Sequence, residues 1–195
     1  AWTAALARAA SVVGAQPSRP VTPLLTHHGA PTIEQLAPGW NVVYPGPPTT
    51  CLYGAPYGFF VKSGDPRRLL ITFPGGAACW SGLTCSNEPA GRVDPGPKAV
   101  TAEDSPAGAQ GVFAESDPEN PFLGFSQVHV GYCTADMHLG DAVRPNDGWV
   151  GDGAAPSEVL RFNGYRNAMA VLDWVFAEFA DPELVVVGGH TSGSY

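Results

Sequence analysis

Near the C-terminal end, Gly189-His190-Thr191-Ser192-Gly193 sets a hydroxyl side chain between two glycines, at minus two and plus two. The apolar run Leu184-Val185-Val186-Val187 and Gly188 precede it. A G-x-S-x-G pattern behind a buried strand is the setting of a nucleophile elbow, a sharp strand-to-helix turn that presents a hydroxyl for attack on a carbonyl carbon. Small flanking residues are needed because the backbone there is strained and tightly packed. The nucleophile position holds Thr191. Ser192 fits the template worse, since its flanks at the same spacing are His190 and Ser194. Taken alone, the pattern suits a structural glycine turn equally well.

A second stretch supplies what such chemistry needs. Leu69-Leu70-Ile71-Thr72-Phe73 runs into Pro74-Gly75-Gly76-Ala77, which resembles the strand and glycine loop that carry oxyanion-hole amides in lipases and esterases. Each pre-aimed donor is worth roughly 3–4 kcal/mol in the transition state. The amides of Gly76, Ala77 and Ser192 are therefore expected to converge near the Thr191 hydroxyl.

The elements that must position these turns are legible as four short runs and a helix. Tyr57-Gly58-Phe59-Phe60-Val61, Leu69 to Phe73, Gln127-Val128-His129-Val130 and Leu184 to Val187 read as strands. Continuous apolar runs suit strands buried on both faces, as in a parallel sheet. Tyr165, Ala168, Met169, Leu172, Val175, Phe176 and Phe179 form a stripe at helical spacing, ended by Asp181-Pro182. Helix, buried strand and glycine turn make half of a βαβ unit, with ligands expected beyond the carboxyl ends of the strands. Asn87 to Glu119 reads as a long loop rich in Pro, Gly, Ala and Asp.

Composition bounds the function. The chain has 195 residues, 44% hydrophobic and only 14% charged, with Gly 24 and Pro 20. That implies many turns and ordered loops in one α/β domain. The net charge of −8 argues against nucleic-acid binding, which needs a basic footprint. No apolar run approaches the roughly 18 residues of a membrane span. Residues 1–49 read as an irregular segment packing on a domain at 50–195. His27-His28 has no Cys or acidic residue at ligand spacing, so it reads as a solvated loop; no metal and no cofactor are expected. The four cysteines, Cys51, Cys79, Cys85 and Cys133, lack a C-x-x-C and suit two disulfides in an exported protein better than zinc or thiol redox chemistry.

Five motifs in order resemble one family. Thr50-Cys51-Leu52-Tyr53-Gly54-Ala55-Pro56-Tyr57-Gly58-Phe59-Phe60 is similar to T-C-x-D-G-S-P-x-G-Y-Y. Gly75-Gly76-Ala77-Ala78-Cys79-Trp80, with Cys85 beyond it, is similar to G-G-x-x-C with a nearby second Cys. Glu119-Asn120-Pro121-Phe122 and then Tyr132-Cys133-Thr134-Ala135-Asp136 match N-P and Y-C-x-x-D. Arg161-Phe162-Asn163-Gly164-Tyr165-Arg166-Asn167 matches F-x-G-x-x-N, and the glycine turn matches G-x-S-A-G. From about Thr50 to Tyr195 the chain thus resembles the pectin acetylesterase and Notum family of α/β-hydrolases. The resemblance implies a mostly parallel sheet flanked by helices, incomplete at its C-terminal side. It implies a secreted, extracellular or periplasmic carboxylic ester hydrolase acting by acyl transfer on acylated polysaccharide or polyester-like substrates. It also implies the pairings Cys51–Cys133 and Cys79–Cys85. Trp80 is expected near the substrate; Asp136 and His138, on a strand-end loop, are expected either to line the pocket or only to stabilise that loop.

Two departures shape the expectation. Thr191 carries a methyl and a stiffer χ1 than serine. It is a working variant, an inactivating substitution or the mark of a non-catalytic relative that binds an acyl or glycan ligand. The triad order of these hydrolases is nucleophile, acid, His, and neither acid nor His follows Thr191. A C-terminal half or a second chain is expected to supply both, and residues 1–195 alone are expected to be inactive.

Overall fold

The structure, a computed structural model, describes residues 29–81, 84, 99–146 and 159–195. Its framework is β3, Asp65–Phe73, whose Leu69, Leu70 and Ile71 are buried. On one side β3 pairs in parallel with β4, Phe125–His129, which is buried along its whole length. On the other it pairs in parallel with β7, Leu184–Gly189. Beyond β4 the sheet turns antiparallel through β2, Phe59–Lys62, and ends at β1, Trp40–Val43. The order is β1-β2-β4-β3-β7. The sheet is therefore mixed, with two parallel and two antiparallel pairings. An α/β architecture is consistent with it. The β1 strand lies inside the segment that sequence reasoning treats as irregular, because four apolar-polar residues between Pro- and Gly-rich flanks carry almost no periodic signal.

The helix α1, Gly164–Glu178, leads into β7. Its buried side is Asn167, Ala168, Ala170, Val171, Asp173, Trp174 and Val175. Trp174 meets Phe59 edge to face at 5.3 Å between ring centroids and donates its indole N–H to the Pro31 carbonyl at 2.9 Å. The buried face is thus rotated from the expected stripe. Ala168, Val175 and Phe179 are buried as expected, whereas Tyr165 is 47% and Phe176 65% exposed. The run in β7 is also uncovered, with Leu184 and Val185 each 45% and Val187 62% exposed. Strand β7 pairs only with β3 among the described residues.

A small second sheet pairs β5, Ala142–Pro145, antiparallel with β6, Val159–Phe162. Leu160 and Phe162 of β6 join Leu52, Cys79 and Ala135 in a minor core. That core lies beside the Cys51–Cys133 disulfide, which has a Cα–Cα distance of 5.0 Å and spans 82 positions. The Leu52 N–H donates to the Cys133 carbonyl at 2.9 Å, so backbone and sulfur bridge the same two segments. Cys79 is also disulfide-bonded; its expected partner Cys85 lies outside the described residues, as do His27, His28 and residues 87–98 of the long loop.

A disulfide ordinarily stabilises by about 2–4 kcal/mol. Replacing Cys51 and Cys133 together by alanine should lower the unfolding free energy in urea by that amount. An unchanged midpoint would show that the hydrogen-bonded backbone holds the two segments without the bridge.

Candidate active site

Parallel strands end on the same side of a sheet, and the β3–β7 register puts Phe73 opposite Gly189. The turns that follow, Pro74-Gly75-Gly76 and His190-Thr191-Ser192, must therefore emerge side by side. They touch. A Cβ on Gly75 would overlap Thr191 Oγ1 and come within 2.6 Å of the His190 carbonyl. The Gly75 N–H donates to His190 Nε2 at 3.3 Å, and the His190 N–H donates to the Phe73 carbonyl at 3.3 Å.

The flanks of the turn are equally close. A Cβ on Gly189 would overlap the Gly193 carbonyl, and one on Gly193 the Phe73 carbonyl. Thr191 has φ +47°, a left-handed conformation that is an outlier for a β-branched residue. Residues Thr191–Ser194 form a 3₁₀ turn, and the Gly193 N–H donates back to the His190 carbonyl at 3.0 Å. Strand, strained hydroxyl residue and helical turn are the parts of an elbow. The Thr191 side chain is at the surface, while Ser192 is buried.

The three expected donors are differently employed. The Gly76 N–H donates to Ser192 Oγ at 2.9 Å. The Ala77 N–H makes no hydrogen bond to the described residues. Ser192 stands in the first turn of the 3₁₀ segment, where N–H groups lack an intrahelical partner. Sequence reasoning missed the side chain of Ser192, and the only signal was its hydroxyl where the G-x-S-A-G pattern has Ala.

A strained loop backs the glycine turn. Ala135, Met137 and His138 have φ of +54°, +59° and +61°. Asp136 holds this loop: its carboxylate accepts from Thr134 Oγ1 at 2.7 Å and from the Gly164 N–H, the first residue of α1, at 2.7 Å. Burial pushes the Asp136 pKa up, and those two bonds pull it back. The Tyr132 hydroxyl donates to the Ala77 carbonyl at 2.9 Å and accepts from the Met137 N–H at 3.0 Å; burial raises its pKa, keeping the proton it donates. His138 Nε2–H donates to the Pro74 carbonyl at 3.0 Å, and burial lowers its pKa. The Asp136 and His138 side chains thus fasten loops beside the turn. Trp80, by contrast, is 71% exposed beyond the glycine loop, where its backbone N–H donates to Thr84 Oγ1 at 2.9 Å.

No imidazole among the described residues hydrogen-bonds the Thr191 hydroxyl. The glycine loop closes one wall of a cavity of about 240 Å³, lined also by Phe60, Val100, His129 and Tyr132. A larger groove of about 580 Å³ flanks the elbow, between Leu139, Tyr165, Val187 and Tyr195. His129 Nδ1 pairs with Thr72 Oγ1 at 2.8 Å. Burial first, then the neighbouring His190 and His138, push the His129 pKa down to about 4.

Two predictions test this packing. The unfolded chain binds a proton at His129 that the fold refuses, so its contribution is full above about pH 6.5 and is lost as pH falls toward 4. Stability should drop by about 3 kcal/mol more over that window in the wild type than in His129→Gln, as read by urea unfolding at each pH. Gly75→Ala should cost about 1–3 kcal/mol through overlap with Thr191. A neutral effect in the same unfolding assay would mean that the two turns are not packed together.

The geometry agrees with one comparison. A family model described as pectinacetylesterase matches residues 45–195. No curated protein matches the chain. The match spans both glycine turns, the strained loop and strands β2, β3, β4 and β7 of the sheet, so the chain belongs to the pectinacetylesterase family.

Proposed function

We propose that this protein is a carboxylic ester hydrolase of the pectin acetylesterase type, removing acyl groups from polysaccharide by acyl transfer through Thr191. The observation that carries the reading is the elbow: Thr191 at φ +47° between two glycines that tolerate no side chain, its hydroxyl against Gly75. Family membership supports an esterase acting on acetylated polysaccharides. In the proposed reaction Thr191 Oγ1 attacks the acyl carbon and its proton passes to a base. The oxyanion is received by backbone N–H groups of the glycine loop and of Ser192. The sugar hydroxyl leaves with that proton, and water then releases the acyl group from Thr191. The exposed Trp80 offers a flat face to the sugar chain, while Asp136 and His138 hold the loops beneath it.

The acid and base come, in this reading, from polypeptide outside the described residues, a C-terminal half or a second chain. It would pack on the open edge of β7 and extend the sheet into a mostly parallel, helix-flanked hydrolase sheet. Residues 50–195 would then be the N-terminal half of that domain, with 1–49 packed upon it. The Cys51–Cys133 disulfide supports an oxidising, secreted location. The runner-up is a non-catalytic relative that binds an acyl or glycan ligand, favoured by the methyl of Thr191 and the lack of an imidazole bonded to its hydroxyl among the described residues.

Turnover of p-nitrophenyl acetate distinguishes these. Residues 1–195 alone should show no appreciable rate. With a polypeptide that supplies acid and base added, turnover should appear, Thr191→Ala should abolish it, and Thr191→Ser should raise it by about tenfold, the worth of about 1.4 kcal/mol of relieved methyl crowding. No turnover by either the wild type or the Thr191→Ser variant would establish the binding-only reading. A rate in residues 1–195 that Thr191→Ala removes would place the base within this chain.

A further inference from the structure

The Ser192 hydroxyl is buried and doubly engaged with one residue of the glycine loop. It accepts from the Gly76 N–H at 2.9 Å and donates to the Gly76 carbonyl at 3.0 Å. Both polar groups of Gly76 are therefore spent on one side chain, and the loop is stapled to the elbow from below. We propose that Ser192 is a positioning residue that selects which amide of the loop serves as oxyanion donor: Ala77, and not Gly76. The inference rests on the esterase reading for its purpose, but not for its geometry.

The physical argument runs through the peptide plane. In a trans peptide the carbonyl and the following N–H point in opposite directions. The Gly76 carbonyl points at Ser192 Oγ, so the Ala77 N–H of the same peptide points away from it. That N–H makes no hydrogen bond to the described residues. The next peptide is held too, since the Ala77 carbonyl accepts from the Tyr132 hydroxyl at 2.9 Å. With Ser192 on one carbonyl and Tyr132 on the next, the Ala77 amide is fixed at both ends. Rotation of the Gly76–Ala77 peptide would break the Ser192 hydrogen bond to the carbonyl. An alanine at this position, as in G-x-S-A-G, cannot make that bond and leaves the Gly76 amide free. The proposed hole therefore has two donors, the amides of Ala77 and Ser192, and the side chain after the nucleophile removes a third.

The test uses amide hydrogen exchange and ¹⁵N–¹H spectra of the whole chain, with Ser192→Ala and Ser192→Thr. In the wild type the Gly76 amide should exchange about tenfold more slowly than that of Ala77, the worth of one ordinary hydrogen bond. Ser192→Ala should remove that difference and move the Gly76 and Ala77 resonances, leaving the amides of β3 and β7 protected as before. Ser192→Thr, which keeps the hydroxyl, should restore the wild-type pattern. Gly76 exchange that does not respond to loss of the hydroxyl would overturn the proposal, as would an Ala77 amide protected as strongly as Gly76. Neither result depends on turnover, so failure of the esterase reading in the p-nitrophenyl acetate assay is a separate outcome.

Discussion

The in-register parallel pairing of β3 with β7 is the constraint from which the site follows. Because Phe73 lies opposite Gly189, two turns leave the sheet at the same height and one strand spacing apart, about 4.8 Å. Nothing larger than glycine fits where they meet, at Gly75, Gly189 and Gly193. Thr191 is held in a backbone conformation that costs on the order of 1–3 kcal/mol. That cost is sustained because the chain is fixed on both sides, by six β3–β7 register pairs before the turn and by the Gly193–His190 hydrogen bond after it. A one-residue slip of β7 would move every contact of Thr191 and send its side chains to the opposite faces of the sheet.

The second support is the loop after β4. Three non-glycine residues sit there with positive φ, and each end of the strain is answered by a hydrogen bond from elsewhere in the fold. Asp136 ties it to the first turn of α1 and His138 to the Pro74 carbonyl, while Tyr132 joins it to Ala77. Burial disfavours the charged form of two histidines in this region, His129 and His138. His138 Nε2–H donates to the Pro74 carbonyl, so the ring fastens the glycine loop from behind. The glycine loop is thus oriented by Tyr132 and His138 from behind and by Ser192 from below.

Much of this was legible in residue types. The glycine turns and the strands before them can be read because close backbone approach leaves few alternatives to glycine, and buried strands few alternatives to Val, Ile, Leu and Phe. The helix at 165–179 was equally plain, yet its buried face was not. Two apolar stripes overlap on α1, and the core took the one bearing Val171 and Trp174 because Phe59 and Phe179 complete an aromatic cluster with Trp174. The β5–β6 pair is not legible in the sequence because β5 is exposed along its length, and an exposed strand needs no apolar pattern. Side-chain use is harder still. Nothing in the letters of His190, Ser192 or Asp136 says whether each faces a substrate or a neighbouring peptide, since that depends on contacts made across the sheet.

The apolar surface left exposed among the described residues has one physical consequence. Val185 and Val187 on one face of β7, Leu184 on the other, and Tyr165 and Phe176 on α1 are all about half exposed or more. At about 25 cal/mol per Å², covering such side chains is a substantial driving force. Among the described residues the outer edge of β7 has no strand partner, and such an edge presents a row of unpaired backbone groups. Tyr165 and Val187 also line the groove that reaches Gly189 and Gly193. Burial of Tyr165 and Val187 would therefore also close that groove. Covering that part of β7 and α1 would take the groove beside Thr191 out of water, so burial of the apolar surface and desolvation of the elbow are a single event.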